Sequence, residues 1–157
     1  MANITAKTSS NVFYKARCEA AKYNEQLSSR EGAAEIMAIE KGRLYRIEKG
    51  NTYPYPEEIR MMADLYNAPE LEHYYCKHIC PLGADMPEVE VTSLDRASLK
   101  TVSIIRKIED AKNNLLDITE DGVIDESEKP ILNNILQTLD EFERAAQTLK
   151  LWAKKNL

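Results

Sequence analysis

Residues 28–50 read SSREGAAEIMAIEKGRLYRIEKG, and they decide the fold because two short helical patterns stand there with a tight connection between them. Ser29 is placed to cap a first helix by accepting a hydrogen bond from a free backbone N–H, while Glu31 and Glu35 suit its positive start and outward side. Ala33, Ala34 and Met37 form a small apolar face. Ala34, with only a methyl group, lets a second helix cross closely over the first. A turn is expected near Ala38. Beyond it, Ile39, Leu44 and Ile47 fall on one helical side, which leaves Lys41, Arg43 and Arg46 to point outward as a basic edge. Gly50 is the expected helix stop.

Two short helices joined in this way make a helix-turn-helix layout, in which the second helix enters the DNA major groove and the first lies across the backbone. The residues resemble the lambda-repressor-like, or XRE, family. SREGAAEIM is followed by AIEKGRLYRIEKG, which ends in the RIE-x-G pattern, and the similarity extends from about Val12 to about Tyr74. That resemblance implies a five-helix N-terminal domain that binds double-stranded DNA through a recognition helix at about residues 39–49. It also implies that Glu40, Lys41 and Gly42, with Arg46 one turn on, occupy base-reading positions. Lys and Arg donate to guanine O6 and N7, and a glutamate accepts from cytosine N4. Gly42 departs from the pattern, since it offers no side chain to a base. Arg17 of the first helix is implied to pair with Glu48 of the RIE run. Asn51 and Tyr53 are implied to lie along the sugar-phosphate backbone, with Arg30 and Lys49 helping to hold the phosphates. A solvated charged face is the plain alternative for the same cations.

Composition sets the bounds. The chain has 157 residues, of which 43% are hydrophobic and 30% charged, as in an ordinary globular protein of one domain or two small ones. No apolar run is long enough to span a bilayer, and the polar start MANITAKTSSN is unlike a signal peptide. Three cysteines, an odd number, argue against a disulfide framework. A cytoplasmic protein without a cofactor is the expectation. The net charge of −5 is uneven: residues 1–80 carry 11 Lys/Arg and 11 Asp/Glu, and residues 81–157 carry 10 and 15. A neutral reading domain with one basic face should bind DNA modestly and with strong salt dependence unless two copies act together.

In chain order, the first dozen residues show no periodicity and are expected to form a loose arm. A first helix is predicted over about 11–24, with Val12, Ala16, Cys18, Ala20 and Tyr23 as candidates for burial. After the turn at residues 51–56, helices are predicted over about 56–67 and 70–77. Ile59, Met62, Ala63 and Leu65 supply core positions. PLGADMPEVEV, residues 81–91, reads as a linker between a domain at 1–80 and another at 92–157. Thr92 and Asp95 make a start like a capping box. Two long helices follow, one with a seam at Leu94, Ala97, Ile104, Ile108, Ala111, Leu115 and Ile118. The other has its seam at Leu132, Ile135, Leu139, Phe142, Ala146, Leu149 and Ala153. Together they predict an antiparallel hairpin whose surplus apolar face pairs with a second copy as a four-helix bundle.

Two other stretches carry candidate chemistry. His73, Cys76, His78 and Cys80 are zinc-ligand types, but their spacing lacks the two separated close pairs of structural zinc sites, and a helix end with aromatic packing accounts for them. The turn from Asp117 to Glu128 resembles an EF-hand loop, with Asp117, Thr119, Asp121, Asp125 and Glu128 at ligand positions and Gly122 at the bend. Thr119 stands where a carboxylate or amide is usual, and the loop has no paired partner. The simpler alternative is a turn bent at Gly122 in which Asp125 caps a helix opening at Glu126. No metal is expected, and calcium is the candidate should one bind. No Gly-rich phosphate loop and no Ser/His/Asp grouping is present, so no enzyme is expected. The sequence therefore predicts an all-α bacterial or phage transcriptional regulator that dimerises through its hairpin. An antitoxin or scaffold that keeps the fold but binds protein is the alternative.

Overall fold

A computed structural model describes residues 11–157, so residues 1–10 of the expected arm lie outside the described residues. Among the described residues every regular element is helical, and the fold is all-α. The chain divides into two compact units, the first ending at Met86 and the second running from Pro87 to Leu157.

The first unit contains α1 (Val12–Ala20), α2 (Arg30–Ile36), α3 (Lys41–Glu48), α4 (Pro56–Leu65) and α5 (Glu70–His78). The first helix is shorter than its sequence pattern. It ends at Ala20, and the chain then tightens into a 3-10 turn at Glu25–Ser28, capped by the Asn24 side chain on the Gln26 N–H. Tyr23, a candidate for burial, is exposed for the same reason. Asn11 opens α1 by accepting from the N–H groups of Phe13 and Tyr14, and its amide donates to the Ile47 carbonyl at 3.0 Å. One asparagine thus caps one helix and ties down the end of another. Ser29 caps α2 by accepting from the Gly32 N–H at 3.0 Å. A side chain at Gly32 would stand 2.2 Å from the Gln26 carbonyl oxygen, so this close pass of turn and helix requires glycine.

The turn between α2 and α3 uses a left-handed residue. Ala38 has φ 52°, its N–H donates to the Glu35 carbonyl, and the Ile39 N–H reaches back to Ala34. This is a Schellman ending with alanine where glycine is usual. Gly50 closes α3 in the same pattern with φ 71°, and Asn67 closes α4 with φ 47°. Each ending satisfies helix carbonyls that would otherwise be orphaned.

Leu27, Ala33, Ala34, Leu44, Ile47, Met62 and Leu71 meet in one core, in which Leu44 and Ile47 are completely buried. Each of the larger side chains contributes about 1.5–3 kcal/mol by leaving water, and those of α3 fix which side of that helix faces out. After α5 the chain does not leave the unit at once. Pro81–Gly83 makes a 3-10 turn in which a side chain on Gly83 would stand 1.7 Å from the Cys76 carbonyl oxygen, and Lys77 donates to the Ala84 carbonyl.

The second unit is a hairpin of α6 (Leu94–Ile118) and α7 (Lys129–Asn156). Ser93, one residue later than the expected Thr92, caps α6 by accepting from the Arg96 N–H. On α6 the buried line is Ala97, Ile104, Ala111 and Ile118, and the expected seam residues Leu94 and Leu115 are exposed. The seam of α7 differs from the expected one. Ile135, Ala145, Thr148 and Leu151 are buried, while Leu139 and Phe142 are exposed. Ala97, Ala111, Ala145 and Thr148 allow the two backbones to approach where larger side chains would hold them apart.

No described helix is long and apolar enough to cross a membrane. The Asp117–Glu128 turn is held by its own hydrogen bonds. The Thr119 hydroxyl donates to the Leu115 carbonyl, Asp121 accepts from the Val123 N–H, and Asp125 accepts from the Ser127 and Glu128 N–H groups. Glu128 accepts in turn from the Asp125 N–H, a reciprocal cap after which α7 begins at Lys129 rather than at Glu126. Among the described residues no three His, Cys, Asp or Glu side chains gather to hold a metal ion, which covers both this turn and the His73–Cys80 stretch.

Candidate nucleic-acid interface

The side of α3 that faces the core carries an ion pair as well as apolar groups. Glu48 is fully buried and accepts from Arg17 at 2.6 Å and 3.1 Å, and from Arg30 at 2.5 Å. Arg17 is itself buried and donates further to the carbonyls of Leu27 and Ser28. Burial alone would lower the Arg17 pKa, but the hydrogen bonds and charge of Glu48 outweigh it and raise it. Arg17 therefore keeps its charge, and its contacts hold α3, α1 and the 3-10 turn in one arrangement.

Arg30 joins that network as well. Its Nε is committed to Glu48, and its guanidinium carbon lies 5.8 Å from the ring centre of Tyr14 and 5.3 Å from that of Tyr45. The side chain is still 27% exposed. Arg43 also departs from the open basic edge. It grips Glu58 through Nε and Nη2 and stacks over Tyr55 at 4.1 Å. Helical spacing sets Arg43 beside Lys41 and Arg46, but Glu58 at the start of α4 lies within its reach and holds its guanidinium, leaving the side chain 20% exposed.

Lys41 and Arg46 are the exposed cations of α3. Lys41 contacts Glu31 at 2.7 Å with both side chains in water, and Arg46 lies 3.3 Å from Glu40. Such surface pairs are worth about 0–1 kcal/mol and are readily exchanged for another anion. Gly42 sits between them, and a side chain there would meet the Glu40 carboxylate at 2.7 Å. Lys49 lies 5.7 Å from the Tyr45 ring, while Asn51 and Tyr53 are exposed on the connection to α4. A cleft of about 660 Å³ opens beside α3, with Arg30, Lys41 and Gly42 on its wall together with Tyr14, Tyr45 and Ser29.

Tyr14, Tyr45, Tyr55 and Glu58 are the members of this surface that sequence reasoning missed. Glu58 carries a signal of its own: three residues after Tyr55 and next to Pro56, it accepts from the Tyr55 N–H as half of a capping box. The tyrosines have none, because cation–ring contacts across helices leave no periodicity. Comparison of the chain with known protein families, curated proteins and solved structures finds no match.

Proposed function

We propose that the chain is a sequence-specific DNA-binding regulator of the lambda-repressor-like type, acting by binding and not by catalysis, with α3 in the major groove. The observation that carries this is the two-sidedness of α3. Leu44, Ile47 and Glu48 are sealed in the core while Lys41 and Arg46 extend from the opposite side with nearly half or more of each side chain exposed. A helix held so rigidly from behind presents its cations in a fixed register, as base reading requires. Lys41 and Arg46 donate to base edges, Glu40 accepts, and Lys49, Asn51, Tyr53 and the outer part of Arg30 contact phosphates. A second copy docks on the hairpin. Its support is that the hairpin leaves Leu99, Ile105, Leu116, Leu136, Leu139 and Phe142 exposed.

The test is selection of bound fragments from a random DNA pool by the full chain. Enrichment of a two-fold symmetric sequence, with retardation that weakens as salt rises, is the expected result. A pool that stays random overturns the proposal.

A protein-binding module is the second reading, favoured by Glu31 and Glu40 standing next to Lys41 and Arg46 and offsetting their charge. On that reading Glu31→Gln leaves DNA retention as weak as before. On the first reading it frees Lys41 and strengthens retention.

A further inference from the structure

The charges around the cleft beside α3 do not cancel. Arg17, Arg30 and Lys41 line it, and Glu31 beside them pairs with Lys41. Glu48, buried behind the wall, serves both arginines. One acidic group between two guanidinium groups leaves at least one positive charge over.

That surplus falls on Arg30. Arg17 is buried with all three of its nitrogens engaged, Nε and Nη2 on Glu48 and Nη1 on the Leu27 and Ser28 carbonyls. Arg30 uses only Nε on Glu48, and among the described residues its Nη1 and Nη2 have no hydrogen-bond partner. A planar fork with two free nitrogens matches two oxygens of a phosphate.

Side chains from two neighbouring helices fix that fork. Glu48 of α3 holds Nε, and the rings of Tyr14 on α1 and Tyr45 on α3 lie 5.8 Å and 5.3 Å from the guanidinium carbon. Tyr14 is also tied to the interior, because the buried Arg17 lies 5.5 Å from its ring. Tyr45 is instead 45% exposed, and its other cation, Lys49, is a point charge on a flexible stem 5.7 Å away. An arginine held in place beforehand loses little freedom on binding, so it fixes position as well as attracting charge.

Resting on the DNA-binding reading above, we propose that Tyr45 is a positioning residue. Its ring holds Arg30 so that Nη1 and Nη2 clasp a single backbone phosphate seated in the cleft, and Tyr45 itself makes no contact with DNA. Arg30 then sets the register of α3 in the groove, while Lys41 and Arg46 read bases.

Double-mutant cycles on the full chain test this, by gel retardation of the duplex enriched from the random pool. Arg30→Gln should weaken binding about tenfold and lower the salt slope by about one. Tyr45→Leu should weaken it about threefold, whereas Tyr45→Phe, which keeps the ring, should bind like the unmodified chain. The Tyr45→Leu loss should vanish in the Arg30→Gln background and persist in the Lys49→Gln background. A purely structural role, or a direct contact of Tyr45 with DNA, predicts the same loss in every background. The proposal is overturned if Tyr45→Leu binds like the unmodified chain, if Tyr45→Phe loses as much as Tyr45→Leu, or if the Tyr45→Leu loss survives in the Arg30→Gln background. Those three outcomes leave the DNA-binding reading standing, whereas an unmodified chain that retains no duplex removes both.

Discussion

Arg43 and Glu58 join α3 to α4: two nitrogens of the guanidinium donate to the two oxygens of the carboxylate, and the same carboxylate accepts from the Tyr55 N–H that opens α4. One glutamate thus caps a helix and anchors the end of the connection that leads away from the basic surface.

Arg43→Ala is expected to cost about 1.5–3 kcal/mol of stability, the range for hydrogen bonds to a charged group. Its dependence on pH follows from Glu58. Burial pushes that carboxyl up, but the Arg43 hydrogen bond, the Tyr55 N–H and the Arg43 charge together outweigh burial and hold it below the usual glutamate value. A carboxyl depressed on folding contributes stability that is in place above its unfolded pKa of about 4.3 and lost as pH falls through the lower folded value. Urea unfolding of Glu58→Gln and the unmodified chain should therefore differ most at neutral pH and converge in acid. A constant difference would refute this account.

Glu48→Ala should be the more damaging change, because it leaves Arg17 buried without its counter-charge. Removing one partner of a buried pair costs about 3–5 kcal/mol. Thermal unfolding followed by circular dichroism measures it, and a melting temperature within a degree or so of the unmodified chain would show that water reaches Arg17 freely.

The cations of α3 should separate by role in a DNA titration. Arg46→Ala weakens binding to the selected sequence by roughly 1–3 kcal/mol and relaxes specificity at one base, whereas Lys49→Ala lowers the salt slope by about one. Arg43→Ala, assayed where it remains folded, keeps the base preference. An Arg43 variant that changes the preferred base would return that residue to the reading surface.

Ala38 stands at φ 52°, where a side chain other than that of glycine is strained by about 1–3 kcal/mol. Ala38→Gly relieves the strain, and the added freedom of the unfolded chain offsets about 0.5–1 kcal/mol of the gain. A net rise in the urea midpoint is expected. A fall would mean that the Ala38 methyl group contributes packing that outweighs its backbone strain.

Local pattern sufficed for much of the fold. Apolar spacing along α2 through α7 gives the all-α class and the hairpin, because a helix must bury one side and the residues of that side recur every three or four positions. Ser29 and Gly50 mark their helix ends by chemistry that acts over a few residues, and so are legible one position at a time. The Arg17–Glu48 pair was implied by the resemblance of RIEKG to a family pattern, not by spacing, since residues 31 positions apart carry no periodic relation.

What only the tertiary structure decided is which charges remain available and which apolar residues are sealed. Lys41, Arg43 and Arg46 look alike along the helix, yet Arg43 meets Glu58 and Arg30 meets Glu48, and both partners come from other elements. On α7 the expected and observed seams share Ile135 and then diverge: Ala145, Thr148 and Leu151 are buried, and Leu139 and Phe142 are left outside. Periodicity names the side of a helix to within a residue or so. Packing in three dimensions selects within that margin, because it depends on the sizes and charges of neighbours that the chain brings together from afar.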